Sequence, residues 1–292
     1  MAYTSAASAL TAAECVTHRL TLAESASPFR NFYSQEHQDW AVAGILHTSG
    51  VLKFNSKVAS NLTYVDLAAN DAQINSNTFF FDRCLNFNGI CIEPNPIYHL
   101  GIRAKRKCHL VPTCVADVEK TIDFVMSGPL GHMIEPVRQH APKPGSSRMR
   151  CSTLRGLLKE RQMFHVNYMS LDIEGAELSA LKSVNWQRTT FDVITVENSN
   201  RELRDFLHTV GMVPALCVSL DTVYVRAGDV QRAAAKWYAS HGQRLLPACV
   251  TDRTESCIGS PESFLRCQAA KRKPGRLLSW LGTNGSNHHM KR

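Results

Sequence analysis

Apolar runs that each end in a carboxylate recur along the chain. Three of them end at Asp66, Glu93 and Asp172, and a turn-forming segment follows each acid. A short apolar run bounded by turn residues is typical of a buried strand, and the carboxyl ends of parallel strands meet at one edge of a sheet. The three acids are therefore predicted to lie along one rim, which is where open α/β sheets bind ligands.

Predicted strands and helices alternate along the chain. The last two strands surround Leu220-Asp221 as an antiparallel hairpin. This order predicts an α/β, Rossmann-like fold, with a seven-stranded, mostly parallel sheet, a C-terminal antiparallel hairpin and helices on both faces. After a first strand that ends near Val65, strands are predicted at 89–92, 109–115, 121–126, 166–171, 191–196, 215–218 and 222–226, and helices at 79–85, 97–106, 153–158, 176–181, 201–210 and 229–238.

The alternating pattern covers only part of the 292 residues. We predict a leader over 1–30, one domain over 31–228, and a C-terminal extension with a basic tail over 229–292. Within the domain, 127–149 is rich in glycine and proline and has no clear period. A long irregular connection of this kind is usually functional or disordered, so we interpret it as a loop or lid that faces the substrate.

The charge of the chain is basic, with a formal net charge of +8. Such a charge favours nucleic acid, an anionic membrane surface or an acidic ligand. Much of the excess lies at 271–276 and 291–292, outside the stretch that carries the acids. A solvated basic tail is therefore favoured, and a phosphate-binding tail stays as the alternative.

The ten cysteines form no CxxC pair and have no paired Cys/His spacing, which argues against structural zinc. Cys91 and Cys114 fall in predicted strands and are expected to pack as free thiols. Whether Cys249, Cys257 and Cys267 are bridged is left open. No apolar run reaches the length of a transmembrane helix, and 1–30 lacks the basic and apolar regions of a signal peptide. A cytoplasmic location is favoured, with an organelle as the alternative.

A turn of small residues, 68–72, follows Asp66. Such a turn lets the backbone approach a ligand and directs helix amides at it. The chain has no GxGxxG segment, which disfavours hydride chemistry. Glu93 ends the next strand, where a carboxylate can accept hydrogen bonds from both hydroxyls of a ribose. The turn and this acid together predict a nucleoside cofactor.

Several short segments, in order, resemble the FkbM-type methyltransferase family. The resemblance covers Tyr33 to Arg226, and the ordered combination is far more specific than any single segment. It is carried by Ser34-Gln35, Gln38-Asp39, Asp66–Asp71, Ser76–Thr78, Cys91–Pro96, Leu171–Glu177 and Val196–Asn198.

This resemblance implies a class I fold that binds S-adenosylmethionine and transfers a methyl group to a hydroxyl of a small molecule, sugar or glycan. Asp172 is the first choice for the group that takes the proton from this hydroxyl, and His132 is the second. The implied cofactor contacts are Asp66, Ala68, Asn70, Asp71, Asn77, Glu93, Pro94, Asp117 and Asp172, and the implied substrate contacts are Gln35, Glu174, Glu197 and Asn198.

The chain departs from the family where Ala68 and Ala72 stand in place of the usual glycines. Alanine disfavours positive φ, so a silent binding or assembly protein on this scaffold stays as an alternative. The basic tail leaves a nucleic-acid or protein methyltransferase as another.

The same sequence is also compatible with Asp172 as a cap of the following helix, with His132 as an ordinary loop residue, and with Glu174 and Glu177 as solvated acids. Oxygen ligands at Asp172, Glu197 and Asn198 suit a divalent cation, but we assign no metal. The sequence makes no prediction of oligomeric state.

Overall fold

The computed structural model describes residues 32–53, 61–134, 144–197, 199–218 and 220–241. The predicted leader, the basic tail, Asn198 and the three cysteines of the tail lie outside these residues. The described strands are β1 (Thr63–Leu67), β2 (Asn88–Ile92), β3 (His109–Val111), β4 (Val115–Ala116), β5 (Lys120–Val125), β6 (His132–Ile134), β7 (Ser146–Thr153), β8 (His165–Leu171), β9 (Thr190–Glu197), β10 (Met212–Val218) and β11 (Asp221–Arg226). The described helices are α1 (Gln38–Thr48), α2 (Phe79–Arg83), α3 (Pro96–Lys105), α4 (Leu154–Glu160), α5 (Glu177–Lys182), α6 (Arg201–Thr209) and α7 (Asp229–His241).

A large sheet has the strand order β10-β11-β9-β8-β1-β2-β3. Neighbours from β9 to β3 pair in parallel, whereas β11 is antiparallel to both β9 and β10. The predicted α/β fold with a parallel-rich sheet is confirmed. Because the chain moves from β1 outward to β3 and then returns to β8, the strand order reverses between β1 and β8, and this is where a crevice forms in such sheets.

Helices cover the two faces of this sheet with separate apolar cores. On one face, Trp40 of α1 packs edge-on against Trp237 of α7, with 4.8 Å between ring centroids. The core on the other face includes Leu154 of α4, Leu181 of α5 and Leu203 of α6. The helix at 229–238, which the sequence assigned to the extension, is thus part of α7 and packs on the fold. Side chains along a strand alternate between faces, so β1 turns Tyr64 and Val65 to opposite cores.

A second sheet, with the order β4-β7-β5-β6, was not predicted. The segment 127–149 was expected to be irregular, but it contains a 3₁₀ turn at Gly128–Leu130, β6 and the start of β7. The prediction failed because β7 buries only Cys151, so its sequence lacks the apolar alternation that indicates a strand. The predicted strand at 121–126 pairs in this small sheet as β5.

The cysteines are also paired differently from expectation. Cys91 of β2 is bonded to Cys108, and Cys114 is bonded to Cys151 of β7, with Cα atoms 5.7 and 4.5 Å apart. The prediction that Cys91 and Cys114 are free thiols was therefore wrong, and no described cysteine is free. The sequence could not show these pairs, because only the folded backbone brings the Cα atoms within bonding range. Among the described helices, none is long and apolar enough to cross a membrane.

Candidate active site

A cleft of about 460 Å³, partly open to solvent, lies between the rim of the large sheet and the small sheet. Four of the residues predicted to bind the cofactor line it, namely Ala68, Asn70, Glu93 and Pro94. The wall from the large sheet adds Leu67, Ile92 and Ile173, the connection after β3 adds Thr113, Cys114 and Val115, and the small sheet and its turn add Phe124, Gly128, Pro129, Gly131 and Met133. The cleft is therefore mostly apolar, with one carboxylate at its base.

That carboxylate belongs to Glu93, which is only 2% exposed. Its Oε2 accepts a hydrogen bond of 2.9 Å from the Asn70 amide, and its Oε1 accepts one of 2.7 Å from the Asn95 amide. Burial raises the pKa of Glu93 to about 7, and the two amides act in the opposite direction. Each carboxylate oxygen has a further lone pair, so Glu93 can still accept hydrogen bonds from a diol.

The turn after β1 has a backbone that suits glycine better than alanine. Ala68 has φ of 61° and Asn70 has φ of 47°, whereas Ala72 is not among the described residues with positive φ. The amides of Ala68 and Ala69 both donate to the Ile92 carbonyl, and Asp71 Oδ1 accepts from the amides of two later turn residues. Of the two alanines that depart from the family, only Ala68 is therefore strained.

Replacing alanine with glycine is expected to affect the stability of the protein differently at these two positions. A left-handed conformation costs an L-residue roughly 1–2 kcal/mol, and glycine costs about 0.5–1 kcal/mol in chain entropy, so Ala68→Gly is expected to leave stability unchanged or raise it slightly. Ala72→Gly relieves no such strain and removes a buried methyl group, so it is expected to destabilise the protein by about 1–2 kcal/mol. Urea unfolding of both variants measures this, and equal losses would contradict the strain at Ala68.

Asp66 lies beneath this turn and outside the cleft. Thr78 Oγ1 donates to its Oδ2 at 2.5 Å, and Arg106 Nη1 lies 3.5 Å from the same oxygen. Arg106 Nε also donates to Asp82 Oδ2 at 2.6 Å, and its Nη1 donates to the Ala72 carbonyl at 3.4 Å. Asp66 thus helps to hold a buried arginine that supports the turn. Sequence reasoning missed Arg106 because its partners come from distant segments.

Three further predicted residues do not line the cleft. Asn77 donates from Nδ2 to Ser170 Oγ at 3.0 Å. Asp117 lies 3.6 Å from Lys120 Nζ and accepts from Ser179 Oγ. Gln35 is exposed in the turn before α1. Their assignment to cofactor or substrate stays a prediction.

A cluster of acids lies at the carboxyl ends of β8 and β9, and Ile173 of the same loop lines the cleft. Asp172, Glu174 and Glu197 each offer a carboxylate oxygen, and these oxygens lie within 4.8 Å of one another. Burial and a hydrogen bond with Glu197 raise the pKa of Asp172 well above its usual range. Burial and the charge of Glu197 also raise the pKa of Glu174, and His132 acts in the opposite direction. Of the two predicted proton acceptors, Asp172 belongs to this cluster, whereas His132 is linked to it only through its electrostatic effect on Glu174.

Asp221 was missed by sequence reasoning. It begins β11 and is buried, and Gln38 Nε2 donates to its Oδ2. Burial raises the pKa of Asp221 to about 7, and its negative charge contributes to the raised pKa of Asp172. The signal that could have pointed to it was Gln38, which belongs to the segments that resemble the family.

Hydrogen bonds to Glu177 stabilise the loop that carries Asp172. Glu177 Oε1 accepts from the amides of Ile173 and Gly175 at 3.1 and 3.0 Å, and between these amides Glu174 has φ of 53°. Glu177 is buried, so the view that it is a solvated acid was wrong. The hypothesis that Asp172 caps α5 was also wrong, because the N-cap position of this helix is Ala176.

The arrangement can perform two kinds of chemistry. A carboxylate whose pKa is raised can take a proton from a hydroxyl within hydrogen-bond reach. The three clustered oxygens are also ligands that hard divalent cations prefer. The apolar cleft beside them suits the flat base of a nucleoside, and Glu93 suits its ribose.

The model of the FkbM methyltransferase domain matches residues 66–214, just over half of the chain, which confirms the resemblance found in the sequence. No curated protein matches the chain. Among solved structures it is similar to precorrin-6y C5,15-methyltransferase from Geobacter metallireducens GS-15, with 15% identity, a TM-score of 0.31, and coverage of 62% of this chain and 86% of the other. On the strength of the domain match, the chain belongs to the FkbM methyltransferase family.

Proposed function

We propose that this protein is an S-adenosylmethionine-dependent O-methyltransferase that acts on a hydroxyl of a small molecule, sugar or glycan. The observation that carries the proposal is the position of the cleft. Glu93 and Ile173 both line it, and Ile173 follows Asp172 in the chain. The carboxylate that we assign to the cofactor therefore lines the same cleft as Ile173, the chain neighbour of the residue that we assign to proton removal.

The residues of the cleft fit the cofactor. Leu67, Ile92 and Val115 offer apolar walls to an adenine ring, and Glu93 offers free lone pairs to the ribose hydroxyls. The acid cluster supplies carboxylates that would attract the positive charge of a sulfonium. When bound, S-adenosylmethionine supplies an activated methyl group.

The chain's own contribution is to orient the acceptor and remove its proton. Positioning the reacting atoms in line supplies much of the rate gain in such a transfer. We assign proton removal to Asp172 in its ionised form, because its carboxylate lies in the cluster beside the cleft. Glu174, Glu197 and His132 are assigned to acceptor binding or to the orientation of Asp172.

Cofactor binding tests this function directly. Titration calorimetry with S-adenosylhomocysteine is expected to give binding to the native protein and a Kd about 10- to 100-fold weaker for Glu93→Gln, which loses a charged acceptor. The matched control is Glu119→Gln, an exposed partner of Arg150, which is expected to bind as the native protein does. Absence of binding by the native protein would contradict the proposal and favour a silent binding or assembly protein.

The pH dependence of this binding gives a second readout. Because burial raises the pKa of Glu93 to about 7, the carboxylate is ionised above this pH and protonated below it. Affinity is therefore expected to fall as the pH drops through about 7 in the native protein, and to vary less in Glu93→Gln. Equal pH dependence in both proteins would exclude Glu93 from the binding site.

The disulfides bear on the compartment. Cytosolic thiols are kept reduced, whereas secretory compartments allow disulfides to persist. The bonds Cys91–Cys108 and Cys114–Cys151 support an oxidising compartment in place of the cytoplasm that the sequence favoured. Peptide mapping of protein from its native source, alkylated before digestion, is expected to yield both linked pairs. Alkylated Cys91 and Cys114 would contradict this assignment.

A further inference from the structure

Large apolar side chains are exposed around α3. Ile97 and Leu100 lie three residues apart on this helix and are 68% and 79% exposed. Ile74 and Leu130 are 69% and 63% exposed. These four are among only seven large hydrophobic residues that the described part of the chain exposes. Their concentration in one region distinguishes them from the scattered apolar residues of an ordinary surface.

The segments that carry Ile74 and Leu130 pack beside α3. A Cβ atom added at Gly101 of α3 would lie 3.9 Å from Ala72 Cβ, in the turn that leads to Ile74. A Cβ atom added at Gly128 would lie 3.7 Å from Tyr98 Oη, which places the turn containing Leu130 against the same helix. We call Ile74, Ile97, Leu100, Leu130 and the cations described next the α3 patch.

The cations follow the apolar residues along the helix. Arg103, Lys105 and Lys107 are exposed at its C-terminal end, and α3 contains no acidic residue. The nearest turn holds one acid, Asp71, which offsets one of these three cations. The α3 patch therefore combines protruding apolar side chains with a positive charge.

We propose that the α3 patch docks on an anionic lipid membrane. Apolar side chains that enter the boundary between headgroups and acyl chains, flanked by lysine and arginine, are how peripheral surfaces bind such membranes. The three exposed cations at the C-terminal end of α3 favour the approach of this surface to anionic headgroups. A second copy of the chain would instead bring an equally cationic α3 to the contact.

This docking is independent of the proposed methyl transfer, although it has a consequence for it. Pro94, Gly128 and Pro129 line the cleft, and they adjoin α3 or the turn beside it. A protein that sits on a membrane through the α3 patch thus holds its cleft close to the headgroups.

Sedimentation of the full chain with lipid vesicles tests the proposal. At low salt, we expect binding to mixed phosphatidylcholine–phosphatidylserine vesicles and little binding to phosphatidylcholine alone, with loss at high salt. The double variant I97S/L100S is expected to bind the mixed vesicles at least about tenfold more weakly. The charge variant R103E/K105E is expected to show a similar loss.

The control is V118S/F164S, which replaces two exposed apolar residues outside the α3 patch and is expected to bind as the native chain does. Three results would overturn the proposal: no binding of the native chain to the mixed vesicles, unchanged binding by both α3 variants, or a dimer in light scattering that I97S/L100S dissociates. Unchanged binding would assign the membrane contact to the basic tail. An unaltered Kd of I97S/L100S for S-adenosylhomocysteine would show that the cleft is intact. A loss of membrane binding by this variant could then be told apart from a failure of the proposed function.

Discussion

Replacing Asp172 with asparagine is expected to lower kcat by about 10²- to 10⁴-fold, which is the usual contribution of a general base. Asparagine has nearly the same shape and can still donate to Glu197, but it cannot take a proton. Because the chain's affinity for the cofactor is assigned mainly to Glu93, the Kd for S-adenosylhomocysteine is expected to change far less than kcat. Steady-state kinetics with a hydroxyl acceptor, once identified, together with calorimetry measures both quantities.

The pH profile separates a base from a merely structural acid. Burial and the hydrogen bond with Glu197 raise the pKa of Asp172, so the base is more often ionised as the pH rises. The native kcat/KM is expected to increase with pH up to this pKa, and the residual activity of the variant is expected to lack the rise. An unchanged profile would assign proton removal to His132 or to solvent.

As the pH rises, the stability of the native protein is expected to fall while its activity rises. A carboxyl group that holds its proton more tightly in the folded state stabilises the fold at low pH, and this contribution is lost as the pH rises through the folded pKa. Asp172 follows this case because its folded pKa is raised. The free energy of unfolding of Asp172→Asn, measured in urea, should therefore equal or exceed that of the native protein at alkaline pH. Glu174→Gln, at a more exposed position, is expected to change stability less.

The positions of Glu93 and Asp172 could be predicted from the sequence, because both follow buried parallel strands and such strands end at one rim. Asp66 follows the same pattern but lies outside the cleft. Residues alternate between the faces of a strand, so Leu67 faces the cleft while Asp66 meets Arg106. The sequence pattern locates the end of a strand but does not indicate which buried cation lies on each face.

The remaining parts of the site depend on contacts between distant segments. Cys114 and Cys151 are separated by 37 positions, and Gln38 and Asp221 by 183. The small sheet that closes the cleft contains β7, whose exposed serines and arginines resemble a loop. Periodicity detects strands with one buried face, so a strand that buries almost nothing along its length could not be found in this way.

The largest loss of stability is expected from removing the guanidinium of Arg106. Its side chain is completely buried and holds two carboxylates, Asp66 at 3.5 Å and Asp82 at 2.6 Å. It also donates to Ser76 Oγ, Thr78 Oγ1 and the hydroxyl of Tyr64. Arg106→Met leaves both carboxylates buried without a cation, and breaking a buried ion pair in this way costs about 3–5 kcal/mol.

Two further variants show how much of the stability lost in Arg106→Met is due to charge and how much to hydrogen-bond geometry. Arg106→Lys keeps the charge but replaces the planar fork with one ammonium group, so it is expected to recover only part of the stability. The triple variant Asp66→Asn/Asp82→Asn/Arg106→Met removes all three charges and is expected to be more stable than Arg106→Met alone, because no uncompensated carboxylate is left. Urea unfolding followed by circular dichroism measures each free energy. Because Arg106 also donates to the Ala72 carbonyl, Arg106→Lys should weaken binding of S-adenosylhomocysteine even where the protein stays folded. If Arg106→Met lowered the free energy of unfolding by less than about 1 kcal/mol, the buried network would not support the turn.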